Sequence, residues 1–122
     1  MNAIKFLPQV LSIASFGDGG FRFGAMSHLG SLLVLPDGMR AWTHGDVLLL
    51  KDFAQIVDMK SHLDFVLLGT GAEMKRPSRE ILALFAAEKL NLDFMSTNSA
   101  VHTYNVMLAE GRRLAAAFVA VP

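Results

Sequence analysis

Apolar residues along this chain fall into short blocks separated by glycine, proline and small polar residues, the pattern of an α/β domain. One block, Phe65 to Leu68, stops at Gly69-Thr70-Gly71 and is followed by a loop and a helical pattern. An unbroken apolar run suits a strand covered on both faces, as at the middle of an α/β sheet. The two glycines permit backbone angles and close approaches that a Cβ would hinder. Asp64 to Leu68 is therefore read as the central strand, and the residues beyond it lie where open α/β sheets place ligands.

Upstream, Val10 to Phe16 reads as a first strand, closed by a turn at Gly17-Asp18-Gly19-Gly20. Phe21-Arg22-Phe23-Gly24 alternates as a short half-buried strand does. Ser31 to Leu35 runs into Pro36-Asp37-Gly38 and continues through Met39 to Trp42, which predicts a hairpin. Val47 to Leu50 adds a strand or extends that hairpin. Asp52 and Gln55 have the spacing of a capping box, with Phe53, Ile56 and Val57 set to cover the sheet. Pro77 and Ser78 open a second helix, with Ile81, Leu84, Phe85 and Glu88 on one side and Lys89 near its end. Leu92 to Met95 alternates as a strand. Ser96, Thr97, Asn98 and Ser99 offer N-caps for a third helix, whose apolar face is Val101, Tyr104, Met107 and Leu108 and whose stop is Gly111. Leu114 to Val121 supplies the last strand. The expected fold is α/β: one three-layer domain over residues 1–122, with a central mixed, mostly parallel sheet, flanking helices and an N-terminal β-meander.

Composition narrows the function classes. Of 122 residues, 52% are hydrophobic and 18% charged, which excludes a disordered chain. Eleven basic residues balance eleven acidic ones, so no nucleic-acid partner is expected, since phosphate binding calls for a basic excess. Lys75, Arg76 and Arg79 form a local basic patch, read as a solvated loop and helix start. The absence of cysteine excludes disulfides, thiol catalysis and thiolate metal sites. No apolar run approaches the ~20 residues of a membrane span, and Met1 to Pro8 lacks the pattern of a signal peptide. The expected location is the cytoplasm.

Candidate chemistry is sparse. Gly69-Thr70-Gly71 begins like a dinucleotide fingerprint, but Met74 stands where the third glycine belongs, and no Walker pattern follows. A structural turn is the stronger reading, and a small anion held with help from Lys75 or Arg76 is the weaker one. None of His28, His44, His62 and His102 has a partner at the helical spacing of a zinc enzyme, so no metal or cofactor is expected. There is no Gly-x-Ser-x-Gly elbow, and no catalytic residue is assigned. The third helix carries Thr97, Asn98, His102, Thr103, Asn105 and Glu110. A solvated face, with buried polar groups tying the helix to nearby loops, outweighs a pocket where that helix starts beside the glycine turn. The candidate ligand-binding residues are Gly69, Thr70, Gly71, Arg76, Thr97 and Asn98.

Three segments in order carry a resemblance: Gly19-Gly20-Phe21-Arg22-Phe23-Gly24, Val66-Leu67-Leu68-Gly69-Thr70-Gly71 and Thr103 to Arg113. Together, over Ile13 to Ala117, the chain resembles the Mth938-like, DUF498-type family of small domains of largely unknown function, which includes mitochondrial complex I assembly factor three. The resemblance implies a three-layer α/β fold and a non-catalytic role in assembly of respiratory complex I, here in a bacterial member. The leading expectation is thus a protein-interaction or assembly factor with protein partners, respiratory-complex subunits among them, and Phe6 and Leu7 as docking residues. The alternative is a small-molecule-binding protein or an enzyme of unrecognised type, with a cleft between Gly69–Gly71 and the start of the third helix. A third expectation is a homo-oligomer formed through the final apolar segment or an edge strand.

Overall fold

The structure is a computed structural model that describes residues 2–122; Met1, in the N-terminal stretch and the domain range above, lies outside the described residues. Its elements are β1 (Phe6–Leu7), β2 (Ser15–Gly17), β3 (Gly20–Phe23), β4 (Met26–Leu29), β5 (Leu32–Leu35), β6 (Gly38–Ala41), α1 (Ala54–Asp58), β7 (Phe65–Gly69), α2 (Arg79–Ala87), β8 (Leu92–Met95), α3 (Thr97–Ala109) and β9 (Leu114–Phe118). Six strands form one sheet in the order β1-β6-β5-β9-β7-β8, and β2-β3-β4 form a separate antiparallel meander. The main sheet is mixed, as expected. Its parallel part is confined to β9-β7-β8, while β1, β6, β5 and β9 pair antiparallel, so the parallel share is smaller than the sequence suggested.

Period-two alternation builds the layers. Leu32 and Val34 of β5, Leu67 of β7, and Leu114, Ala116 and Phe118 of β9 face a core shared with Phe21, Phe23 and α3. Leu33, Leu35, Val66, Leu68, Ala115 and Ala117 face the other way, onto Trp42, Phe53, Ile56, Ile81 and Phe85. The meander and α3 thus cover one face and α1 and α2 the other, which makes the three layers. β7 sits one place in from the edge strand β8, and β9 is paired on both sides by β5 and β7. That placement corrects the self-association expectation for the final segment, because β9 has no free edge to offer a second copy.

Local chemistry explains the elements. Asp18 and Gly19 have φ of 52° and 80° and close the β2-β3 hairpin in two residues, the left-handed pair that a type I′ turn needs. Pro36 and Asp37 join Leu35 to Gly38 in the predicted hairpin. Both longer helices end in Schellman motifs. In α3 the Arg112 N–H donates to the Met107 carbonyl at 3.1 Å, around Gly111. In α2 the Leu90 N–H donates to the Phe85 carbonyl at 2.9 Å, around Lys89, whose φ of 57° sits where glycine is usual.

Three expectations are corrected. Val10 to Ala14 belongs to no strand of either sheet, and only Ser15 and Phe16 of the predicted segment lie in β2. Apart from the Ala14 N–H, which donates to the Arg22 carbonyl at 2.8 Å, side chains take the place of a ladder there: Asn105 of α3 brackets Ile13, accepting from its N–H and donating to its carbonyl, both at 2.8 Å. Val47 to Leu50 is not a strand either, because the chain turns into a 3-10 helix at Leu50–Phe53 and leaves Val47, Leu49 and Leu50 exposed. Asp52 lies inside that 3-10 turn and accepts from the Leu49 N–H at 2.7 Å rather than starting α1. Two strands went unread, β1 and β4.

Candidate functional site

The carboxyl ends of β7 and β9 and the start of α3 meet at the glycine turn. Gly69 and Gly71 do there what their lack of a Cβ allows. A Cβ on Gly69 would stand 3.0 Å from the Cα and Oγ1 of Thr97 and 3.2 Å from the Cβ of Ala100, and Gly71 has a φ of +112°. Thr97 is fully buried and locks the junction. Its hydroxyl accepts from the Gly71 N–H at 3.0 Å and donates to the Val119 carbonyl at 2.7 Å. Its own N–H donates to the Gly71 carbonyl, and the Val119 N–H donates to Gly69, at 2.8 and 2.9 Å. The N-cap of α3 is Ser96, accepting from the Ser99 N–H, one of the four caps the sequence offered; Thr97 and Asn98 do not cap the helix. Asn98 is exposed on the first turn.

The concave space lies on the opposite face of the sheet. A cavity of about 460 Å³ sits between the 44–48 loop and the 70–78 segment, closed at the back by Leu68, Ile81 and Val119. Of the sequence candidates it brings together Thr70 and Arg76; Gly69, Gly71, Thr97 and Asn98 do not line it. Thr70 works on the backbone around it: its hydroxyl accepts from the Lys75 N–H at 2.9 Å and reaches the Glu73 carbonyl at 2.8 Å. The 71–75 loop is thereby folded back so that Lys75 and Arg76 stand on the lip, ahead of buried Pro77 and the α2 N-cap Ser78.

The facing wall is also held. His44 Nδ1 is 2.7 Å from the Gly45 carbonyl, which can only accept, so Nδ1 carries a proton, and Nε2 pairs with the Ser31 hydroxyl at 2.9 Å. Ser31 Oγ in turn accepts from the Ala120 N–H at 2.9 Å. Trp42 packs on His44 with ring centroids 4.6 Å apart and donates its indole N–H to the Asp52 carbonyl. His44, Asp46, Val47 and Leu48 were not among the sequence candidates. Of these only Val47 and Leu48 carried any sequence signal, the apolar run Val47 to Leu50, which reads as a strand but finds no partner strand.

Around the cavity mouth the surface is apolar and basic. Val47 is 71% exposed and Met74 59%, with Leu49 and Leu50 about half exposed. Lys75, Arg76 and Arg79 join no ion pair among the described residues. A bidentate ion pair lies at the far end of the strands, where Arg113 donates twice to Asp64 at 2.8 and 3.2 Å. That guanidinium holds the Asp64 carboxyl below its ordinary range. Among the described residues no group of three or more His, Asp or Glu side chains is placed to hold a metal, and no helix is long and apolar enough to cross a membrane.

A family described as "Protein of unknown function (DUF498/DUF598)" matches residues 13–119. An uncharacterized protein of Rhodobacter capsulatus is 33% identical over 112 residues, which is 92% of this chain and 86% of that one. NADH dehydrogenase [ubiquinone] 1 alpha subcomplex assembly factor 3 of Rattus norvegicus is 25% identical over 118 residues. That match takes in 94% of this chain and 63% of the rat protein, so the chain spans under two thirds of that relative's length. Among solved structures, one described as an outer membrane protein from Bartonella henselae superposes with a TM-score of 0.87 at 38% identity, covering 94% of this chain and 98% of that one.

Proposed function

The chain belongs to the DUF498 family, and on that premise we propose that it is a non-catalytic protein-interaction factor assisting assembly of a membrane complex, respiratory complex I in particular. The observation that carries this reading is the match, across 94% of this chain, to a protein named as a complex I assembly factor. The surface supports it: Val47, Leu49, Leu50 and Met74 are large apolar side chains left at least 47% exposed, on segments that flank one cavity. Exposed apolar groups gathered in this way mark contact surfaces. Phe6, half exposed beneath the Arg40 guanidinium, offers a second contact on the opposite sheet edge. We place the contact in the cytoplasm, with the chain docked to a membrane complex.

The test is gentle affinity capture from native membranes with quantitative mass spectrometry, comparing the protein with a Val47→Glu/Leu50→Glu variant. Respiratory-complex subunits or assembly intermediates are expected to be enriched and to fall away with the variant. Capture that returns none of them, at matched expression and fold, overturns the assembly role.

The cavity itself favours a second reading, a small-molecule site. Its volume of about 460 Å³ lies within the roughly 300–1,000 Å³ range of ligand pockets. Thr70 and Arg76 are then site residues, while Gly69, Gly71 and Thr97 set the junction behind them and Asn98 stands apart.

A further inference from the structure

We propose that the cavity between the 44–48 loop and the 70–78 segment binds a small amphiphilic anion: an apolar chain or ring ending in a carboxylate or phosphate. The inference rests on the small-molecule reading of that cavity and names the ligand class.

Three observations converge on it. The interior is apolar: Leu68 and Ile81 are buried side chains of the sheet and of α2, and Leu48 and Val119 close the walls. Those four side chains offer no hydrogen bond and gain from burying an apolar body, at about 25 cal/mol per Å², while the polar members of the lining stand nearer the lip. The charge at the lip has one dominant sign. Lys75 and Arg76 stand there without an ion-pair partner among the described residues, and Asp46 on the opposite loop is the one carboxylate of the lining; beyond the lining, Arg79 in the first turn of α2 is matched by Glu80. Two cations against one acid favour an anionic head group, and the guanidinium suits carboxylate or phosphate in particular.

The third observation is that the walls are built in advance. Thr70 fixes the backbone of Lys75 from a buried hydroxyl, and Ser31 together with Trp42 fixes His44 across the cavity. A site whose cations sit on a tied loop loses less freedom on binding than one that must fold around its ligand. An anion with an apolar body therefore fits where a sugar, a free metal ion or a bare phosphate would leave the floor unused.

The experiment is calorimetric titration of the full chain with decanoate, decylamine and decanol, in parallel. Saturable binding of decanoate at one site, at least roughly tenfold tighter than decylamine, is expected; a charge-assisted hydrogen bond is worth about that factor. Lys75→Glu/Arg76→Glu is expected to remove that preference with the circular dichroism spectrum unchanged, and Arg112→Glu at the far end of the sheet to leave it intact. Val119→Phe, which narrows the cavity without touching charge, is expected to weaken all three ligands. Binding of decanol or decylamine as tightly as decanoate overturns the anion proposal and leaves the small-molecule reading standing. No binding of any of the three overturns both.

Discussion

Single side chains hold this molecule together at points where secondary structure runs out, and two of them give direct tests. Thr97 serves the Gly71 N–H and the Val119 carbonyl from a fully buried position. Thr97→Val keeps the shape and orphans both groups, so urea unfolding is expected to show a loss of about 1–3 kcal/mol with an unchanged m value, and Thr97→Ser a smaller loss. An unaffected Thr97→Val would mean that water or a shifted backbone satisfies those groups. Tyr104 is the only tyrosine, it is fully buried, and its hydroxyl donates to the Leu11 carbonyl at 2.6 Å. Burial raises the pKa of the phenol, since the anion would lose its hydration. The unfolded chain then gives up this proton at an ordinary phenol value near 10 while the folded chain keeps it. The associated stability is intact below that pH and is lost as pH rises toward the raised folded value. The near-ultraviolet phenolate band is expected to appear only with alkaline unfolding; ionisation of the folded protein near the ordinary value would contradict the burial argument. A change of Gly69 to alanine belongs with these. Its Cβ meets the Thr97 backbone at 3.0 Å, and an overpacking cost of about 1–3 kcal/mol is expected in the same unfolding assay.

At the level of elements, what could be read in the sequence depended on whether the deciding chemistry was local. The β5-β6 hairpin was legible because Pro36-Asp37-Gly38 writes its own turn, and α2 because Ser78 is its own cap. The 47–50 run misled because four apolar residues in a row fit a strand, a buried helix or an exposed rim equally well. Asp52, three residues beyond Leu49, drew that backbone into a 3-10 turn instead. β4 was silent because its buried member is His28, held between the Ile4 N–H and the Ser31 carbonyl, so no hydrophobic alternation announces it. Val10 to Ala14, read as a strand, forms none, and its Ile13 is bracketed by a side chain 92 positions away, which no local pattern encodes. The cavity had the same character: Lys75 and Arg76 were visible, the facing His44 to Leu48 wall was not. Asn105 gives the prediction at this scale. Asn105→Ala removes both bonds to Ile13, so the Ile13 amide is expected to exchange far faster in an NMR hydrogen-exchange experiment, with about 1–3 kcal/mol lost globally. If Ile13 stays protected, the segment is held by its apolar contacts and the Asn105 bracket is incidental.

Over the whole molecule, connectivity predicts where stability is concentrated. β5, β9 and β7 each have a strand on both sides and a core on both faces. β5 and β9 are buried at every residue, and β7 is buried from Val66 to Gly69. β1 has two residues and one neighbour, and β8 has one neighbour. The 44–50 and 71–76 segments are tied by a handful of bonds at His44, Asp52 and Thr70. Amides that open only when the whole fold opens belong to the first group, and they report the global free energy, about 5–15 kcal/mol for a domain of this kind. Native-state hydrogen exchange is therefore expected to rank β5, β7 and β9 slowest, β8 and α3 next, and β1 with the two cavity loops fastest. The ordering bears on function, since loops that must admit a partner or a ligand come from the low-stability end of a fold, while the strands behind them stay closed. Exchange as slow in the 44–50 segment as in β9 would mean that the cavity walls open only with the fold itself, so that a ligand or partner meets a surface already formed.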